Sequence, residues 1–174
     1  GSYNGPAYLV TGALIRDAEK KTYTNSIVSI DKASQVETRY DKFHLVPFGE
    51  YIQMKKWIPL QTVTRFNGFV RGDGPQTQSL PLPGGKELKF SPLVCYEILF
   101  PDNVTDPENR PEVIINVTND GWYGFSAGPH QHLLKARFRA IEEGIPVIRS
   151  ANNGVSSIID PYGRIVVRSD LFVK

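Results

Sequence analysis

One cysteine, Cys95, stands alone in 174 residues, so no disulfide can form within the chain. A lone thiol fits a reducing compartment or a sulfur that has to stay free, and it leaves location open. No stretch approaches the roughly 20 apolar residues that a bilayer crossing needs, and nothing reads as a signal peptide, so the chain as it stands is expected to be soluble. Charge of one sign is missing too. Twenty basic against eighteen acidic residues leave a net +2, and no basic run is interleaved with aromatics, so nucleic acid is not expected as a partner. Only three histidines occur. His130 and His132, two apart at a helix start, face different ways and have no Cys or carboxylate cluster beside them; a structural role is expected, with no metal and no cofactor. Internal repeats and low-complexity tracts are also absent.

What remains is a chain with 40% hydrophobic residues, long enough for one domain with a real core. Gly1-Ser2 reads as the scar of a cleaved tag, leaving a single domain over residues 3–174. Residues 7–15 are mostly apolar and predict a strand covered on both faces; 25–30 and 36–40 predict two more, joined by an Asp31-Lys32-Ala33-Ser34 turn. A short helix is expected within 49–57. Residues 66–85 hold five glycines and three prolines and read as an irregular excursion, with a lid over 64–85 as one reading and an ordinary surface loop as the other. Val113 to Val117 predicts a strand that delivers Asn119-Asp120-Gly121-Trp122 to its end. Pro129 to Glu143 is the best helix: Pro129 suits its first turn, Leu134, Phe138 and Ile141 share a face, and Gly144 ends it. Strands over 146–150, 155–159 and 164–168 follow, the last two joined by Asp160-Pro161-Tyr162-Gly163. Mixed strands and helices in this order make an α/β fold.

Cys95 lies between an extended run, Lys86 to Val94, and a short helical turn, Glu97 to Phe100, which places it on a strand-to-helix corner. A thiol at a helix N-terminus feels the positive end of the backbone dipole, and this favours the thiolate that attacks carbonyls. A cysteine beside Val94 and Tyr96 is also compatible with a small buried hydrophobe.

Its company decides between them. Tyr40-Asp41-Lys42-Phe43-His44-Leu45-Val46-Pro47-Phe48-Gly49-Glu50-Tyr51, Cys95-Tyr96-Glu97, Asn119-Asp120-Gly121-Trp122-Tyr123-Gly124, Gly128-Pro129-His130-Gln131-His132 and Asn152-Asn153-Gly154-Val155 occur in an order that resembles the carbon-nitrogen hydrolase (nitrilase) superfamily. Closer still, the tokens resemble the periplasmic catalytic domain of the bacterial apolipoprotein N-acyltransferases. The resemblance implies a nitrilase-like αββα sandwich and acyl transfer through a cysteine thioester. It places the nucleophile at Cys95, the lysine at Lys42 and a second glutamate, orienting that lysine, at Glu50. Tyr96 and Glu97 are expected to shape the acyl-donor pocket, and Trp122 and Tyr123 to line the substrate. Lys42 and the backbone N–H after Cys95 would stabilise an oxyanion. Asn152-Asn153-Gly154 is expected to turn beside the site in a structural role.

The implied substrates are a phospholipid acyl donor and an apolipoprotein acceptor, with the parent protein in the bacterial inner membrane and its catalytic domain facing the periplasm. One departure stands out. The family's general-base glutamate precedes the lysine, whereas Glu19 and Glu37, the glutamates upstream of Lys42, lie in polar, turn-like contexts. The sandwich is therefore expected to be incomplete at its N-terminus, membrane helices to be missing, and the fragment to be inactive or nearly so. A soluble amidase of the same superfamily and a non-catalytic binding module with a structural Cys95 are the alternatives.

Overall fold

The computed structural model describes residues 5–46 and 69–171. β1 (Leu9–Asp17), β2 (Thr22–Ile30) and β3 (Val36–Asp41) form an antiparallel three-stranded sheet in that order. The turn between β2 and β3 is closed by Asp31, whose carboxylate accepts the N–H groups of Ala33 and Gln35 at 2.9 and 2.7 Å. An aspartate that satisfies its own turn in this way explains why the chain reverses here. The expectation that the first strand is covered on both faces is corrected. β1 is an edge strand whose burial alternates, and Leu9 is 62% and Leu14 66% exposed.

The second sheet has six strands in the order β4 (Gln78–Leu82), β5 (Lys86–Val94), β6 (Val113–Asn119), β7 (Val147–Asn152), β8 (Ser157–Ile159) and β9 (Ile165–Arg168). β5, β6 and β7 run parallel at its centre, and the outer pairs are antiparallel. β4 corrects the reading of residues 66–85 as irregular throughout. Gln78 to Leu82 pair with β5 across a turn in which Gly84 and Gly85 take φ of 77° and 73°, a backbone that glycine adopts without strain. Pro81 is tolerated because β4 is an edge. Of the expected lid, residues 64–68 lie outside the described residues, as does the helix expected within 49–57.

The helix α1 (Gly128–Glu143) carries the chain from β6 back to β7. Pro129 lies in its first turn, the Ser126 hydroxyl accepts the Gly128 N–H at 3.1 Å, and Gly144 caps the end at φ 64°. α1 packs through Leu133, Ala136 and Ala140, while Leu134, Phe138 and Ile141 share its outer, part-exposed face.

Strand alternation makes the layers. On one face of the larger sheet Leu93, Ile114, Val147 and Ile159 meet α1. On the other, Val94 and Val117 meet Ile27 and Tyr40 of the smaller sheet, and Phe90 and Val113 meet Leu80, Tyr8 and Val10. Period-two side chains are thus used twice, once against helix and once against sheet. A helix, a mixed sheet and an antiparallel sheet stack as three layers. The three parallel strands end on the same side of the sheet, Asn119 level with Asn152 and Val94 level with Val117 two residues earlier, and this is the side on which α/β sheets hold their ligands.

Candidate active site

Cys95 follows β5 directly and opens a five-residue 3₁₀ turn, Cys95–Leu99. The corner expected from the sequence is there, although a single 3₁₀ turn replaces the helix and brings little macrodipole. Cys95 is half-buried and has φ of 50°, a left-handed conformation that costs a side-chain-bearing residue about 1–2 kcal/mol. Something has to hold it there.

From one side, Glu97 holds the corner. Its carboxylate is 1% exposed. Oε2 accepts the Val94 N–H at 2.7 Å; Oε1 accepts the Tyr40 hydroxyl at 2.7 Å and the N–H groups of Phe43 and His44 at 2.7 and 3.1 Å. One side chain thereby ties the residue before Cys95 to the residues on both sides of Lys42. Burial pushes the Glu97 carboxyl up from its ordinary range, and the four donors pull the other way without cancelling it. The sequence reading made Glu97 part of a substrate pocket; its oxygens are instead occupied inside the protein, so it shapes the site by fixing backbone.

Lys42 is 1% exposed, an unusual place for an ammonium. Its N–H donates to the Asn25 carbonyl at 2.8 Å and its carbonyl accepts the Gly72 N–H at 2.9 Å, so its backbone is fixed on both sides. Glu50 lies outside the described residues. Glu19 sits exposed in the β1–β2 turn and Glu37 exposed on β3, away from any buried cluster.

Tyr96, half-buried, meets Phe100 edge-on at 5.0 Å; Phe100 stacks on His44 at 4.2 Å, and Phe43 carries the Arg71 guanidinium 3.7 Å above its ring. These rings wall the segment that bears Lys42. Burial lowers the His44 imidazole from its ordinary range, and the charge of Arg71 adds to it. Trp122 and Phe125 are 87% and 96% exposed on the loop after β6, and Tyr123 lies edge-on to His132 at 5.9 Å. Burial, then the proximity of Cys95, pushes the Tyr123 phenol up.

From the other side, a ring of buried polar groups closes on the Cys95 carbonyl oxygen. His132 Nε2 lies 3.2 Å from that oxygen and His132 Nδ1 lies 2.9 Å from Asp120 Oδ1. Asp120 Oδ2 accepts Arg149 Nη2 at 2.6 Å; Arg149 Nη1 donates to Asn116 Oδ1 at 2.5 Å. Asn116 Nδ2 donates to the Leu93 carbonyl at 3.1 Å and reaches the Cys95 carbonyl at 3.5 Å. Asn116 and Arg149 are register partners across β6 and β7, so sheet pairing itself sets their contact. Burial alone would raise the Asp120 carboxyl; the hydrogen bond from His132 and the charge of Arg149 outweigh it and hold it below the ordinary aspartate range. Burial also presses the Arg149 guanidinium down, against the pull of Asp120.

Asn116 and Arg149 were not singled out from the sequence. The available signal was a polar residue at an inward position: Asn116 alternates with Ile114, and Arg149 with Val147. His130 is exposed, and among the described residues no group of three or more His, Cys, Asp or Glu is placed to hold a metal.

The site thus presents a half-buried thiol on a strained corner, with buried Lys42 positioned through the same carboxylate and aromatics around them. Comparison with known proteins gives the family and the fold. The carbon-nitrogen hydrolase family model matches residues 5–174. The chain is 47% identical over 154 residues to the apolipoprotein N-acyltransferase of Rhodopseudomonas palustris, covering 86% of this chain and 28% of that protein. It is 41% identical over 169 residues to the apolipoprotein N-acyltransferase of Rickettsia typhi, covering 95% and 33%. The chain therefore spans about a third or less of the curated relatives it matches. Among solved structures it resembles an amidase from Nesterenkonia sp. (TM-score 0.64, 20% identity, 94% of this chain and 57% of that one) and Saccharomyces cerevisiae Nit3 of the nitrilase superfamily (TM-score 0.65, 19% identity, 93% and 55%). These show a shared nitrilase fold. From the matched span and the shared architecture together, the chain belongs to the carbon-nitrogen hydrolase family.

Proposed function

We propose that this chain is catalytic machinery of an N-acyltransferase that moves a fatty acyl group from a phospholipid to the N-terminal cysteine amine of an apolipoprotein, by way of a thioester on Cys95. The observation that supports cysteine acyl chemistry is the Glu97 clamp, which sets the backbone flanking Lys42 against the backbone flanking Cys95. The names of the relatives at 41–47% identity support the choice of acyl donor and acceptor.

In the first half-reaction the sulfur attacks the ester carbonyl, a C–S bond forms, the ester C–O bond breaks, and the lysophospholipid leaves with a proton on its new hydroxyl. In the second, the acceptor amine attacks the thioester; a C–N bond forms, the C–S bond breaks, and the amine proton returns to sulfur. Lys42 stabilises the oxyanion of both tetrahedral species, together with a backbone N–H after Cys95. Glu50 orients that lysine. Tyr96, Trp122 and Tyr123 contact the acyl donor, and the exposed indole of Trp122 suits an apolar chain arriving from a membrane surface. The parent protein sits in the bacterial inner membrane with this domain on the periplasmic side; no helix among the described residues is long and apolar enough to cross a membrane.

The test uses the native gene from which this chain comes, expressed in membranes with a labelled phospholipid and a diacylglyceryl-cysteine peptide. Expected are an N-acyl peptide and a hydroxylamine-labile acyl adduct on Cys95, both lost in Cys95→Ser. Hydrolysis of simple amides with no N-acyl peptide would replace this reading with the amidase one, to which the fold of the Nesterenkonia protein gives support.

A further inference from the structure

The ring beneath Cys95 has a hydrogen count that its geometry fixes. His132 is buried, and each of its ring nitrogens faces an oxygen that can only accept. On the Nε2 side stands the carbonyl of Cys95, which carries no hydrogen. On the Nδ1 side stands Asp120 Oδ1, which already takes the Thr118 hydroxyl at 3.1 Å while Oδ2 takes Arg149; the carboxyl is held ionised. A neutral imidazole has one N–H and one lone pair. Whichever tautomer it chose, a lone pair would point at an oxygen in a site closed to water, and exchanging tautomers moves that conflict from one end to the other.

We propose that His132 is a positioning residue carried as an imidazolium, whose two N–H groups clamp Asp120 on one side and the Cys95 carbonyl on the other, so that the nucleophile stays in its left-handed conformation. The charged and titratable groups around it are Asp120 and Tyr123 from the turn after β6, Cys95 from the turn after β5, and Arg149 of β7 acting through Asp120. On its own helix, His130 and Lys135 are exposed and turned away. Asn116 makes the second contact with the same carbonyl, which leaves the Cys95 peptide held from two strands and a helix together. The purpose assigned to the clamp rests on reading Cys95 as the nucleophile, whereas the protonation of His132 is measured without any acyl donor.

The experiment is long-range ¹H–¹⁵N NMR of this chain at pH 7, where an ordinary imidazole, with a pKa of about 6.5, is mostly neutral. Three histidines make assignment by single replacement direct. Both ring nitrogens of His132 are expected to be protonated. In Asp120→Asn an amide N–H faces Nδ1, so His132 is expected to switch to the neutral tautomer with its hydrogen on Nε2. Because Nε2 still donates to the Cys95 carbonyl there, alkylation of Cys95 by iodoacetamide should stay within about threefold of the parent. His132→Asn and His132→Gln, whose amide nitrogen serves one end only, should slow alkylation about tenfold. An unprotonated His132 nitrogen in the parent chain overturns the imidazolium. Alkylation unchanged in both amide variants overturns the positioning role; if they fail to fold, the role is overturned when Asp120→Asn leaves His132 Nε2 without a hydrogen and alkylation still stays within about threefold of the parent. Absence of N-acyl transfer in the separate membrane assay would count against the proposed activity and not against this ring.

Discussion

The Tyr40 hydroxyl donates to Glu97 across 57 residues of sequence, at 2.7 Å, in the apolar seam between the two sheets. Burial, and then the negative charge of Glu97, drive the phenol well above its ordinary range, so Tyr40 stays neutral and keeps the proton it donates to the carboxylate. Tyr40→Phe removes one of four donors and leaves Glu97 with three backbone N–H groups; a loss of about 1–2 kcal/mol in urea unfolding is expected. Glu97→Gln turns an N–H₂ group toward at least one buried donor and should cost about 2–4 kcal/mol, with Cys95 alkylation slowed as well. Equal costs for the two variants would show that the clamp does not depend on the carboxylate.

Gly154 is required by its neighbour. A Cβ built there would lie 2.2 Å from Asp120 Oδ2, and Asp120 has no slack because His132 and Arg149 hold both of its oxygens. Gly154→Ala should lower stability by about 1–3 kcal/mol and slow Cys95 alkylation. The control is Gly84→Ala, where a Cβ meets nothing within 4 Å; only its positive φ is strained, at about 1 kcal/mol, and the thiol should be unaffected.

Acid should loosen the ring. The folded Asp120 carboxyl titrates below its unfolded value near 3.9, so its contribution is fully present above about pH 4 and is lost as pH falls through the folded value. Urea midpoints measured from pH 7 down to pH 2.5 should decline below about pH 4, and the decline should be shallower in Asp120→Asn. Parallel profiles would place the acid sensitivity elsewhere, Asp41 being held low by Arg39 and Ser26 against its own burial.

Trp122 separates function from folding. At 87% exposure it packs on little, so Trp122→Ala should change stability by less than about 0.5 kcal/mol. Acyl transfer from phospholipid in the membrane assay should nevertheless fall severalfold. An unchanged rate would remove Trp122 from the donor site.

Much of the scaffold was legible because it rests on local rules. Short extended runs between turn residues announced β2, β3, β6 and β7, and Pro129 with Gly144 bracketed α1 within one residue. β4 was hidden because Pro81, Pro83 and paired glycines dominate its local signal, while its pairing with β5 is tertiary. The face of α1 was legible only as a stripe: that Leu133, Ala136 and Ala140, and not Leu134 and Phe138, turn inward depends on the sheet beneath. At the site, the corner at Cys95 was visible, whereas the ring was not. Its members come from β6, the turn after it, α1 and β7, and no spacing rule links them.

The Cys95 corner also implies an order of events. Its partners arrive from far along the chain: Tyr40 meets Glu97 across 57 residues, and His132 meets the Cys95 carbonyl across 37. Parallel pairing of β5, β6 and β7 adds crossovers that close slowly, because loop entropy is lost before the contacts reward it. Arg149, near the end of this span, is the last of them to leave the ribosome. The thiol is therefore expected to acquire its left-handed setting late, so that during refolding its accessibility to alkylation should follow the final step rather than collapse.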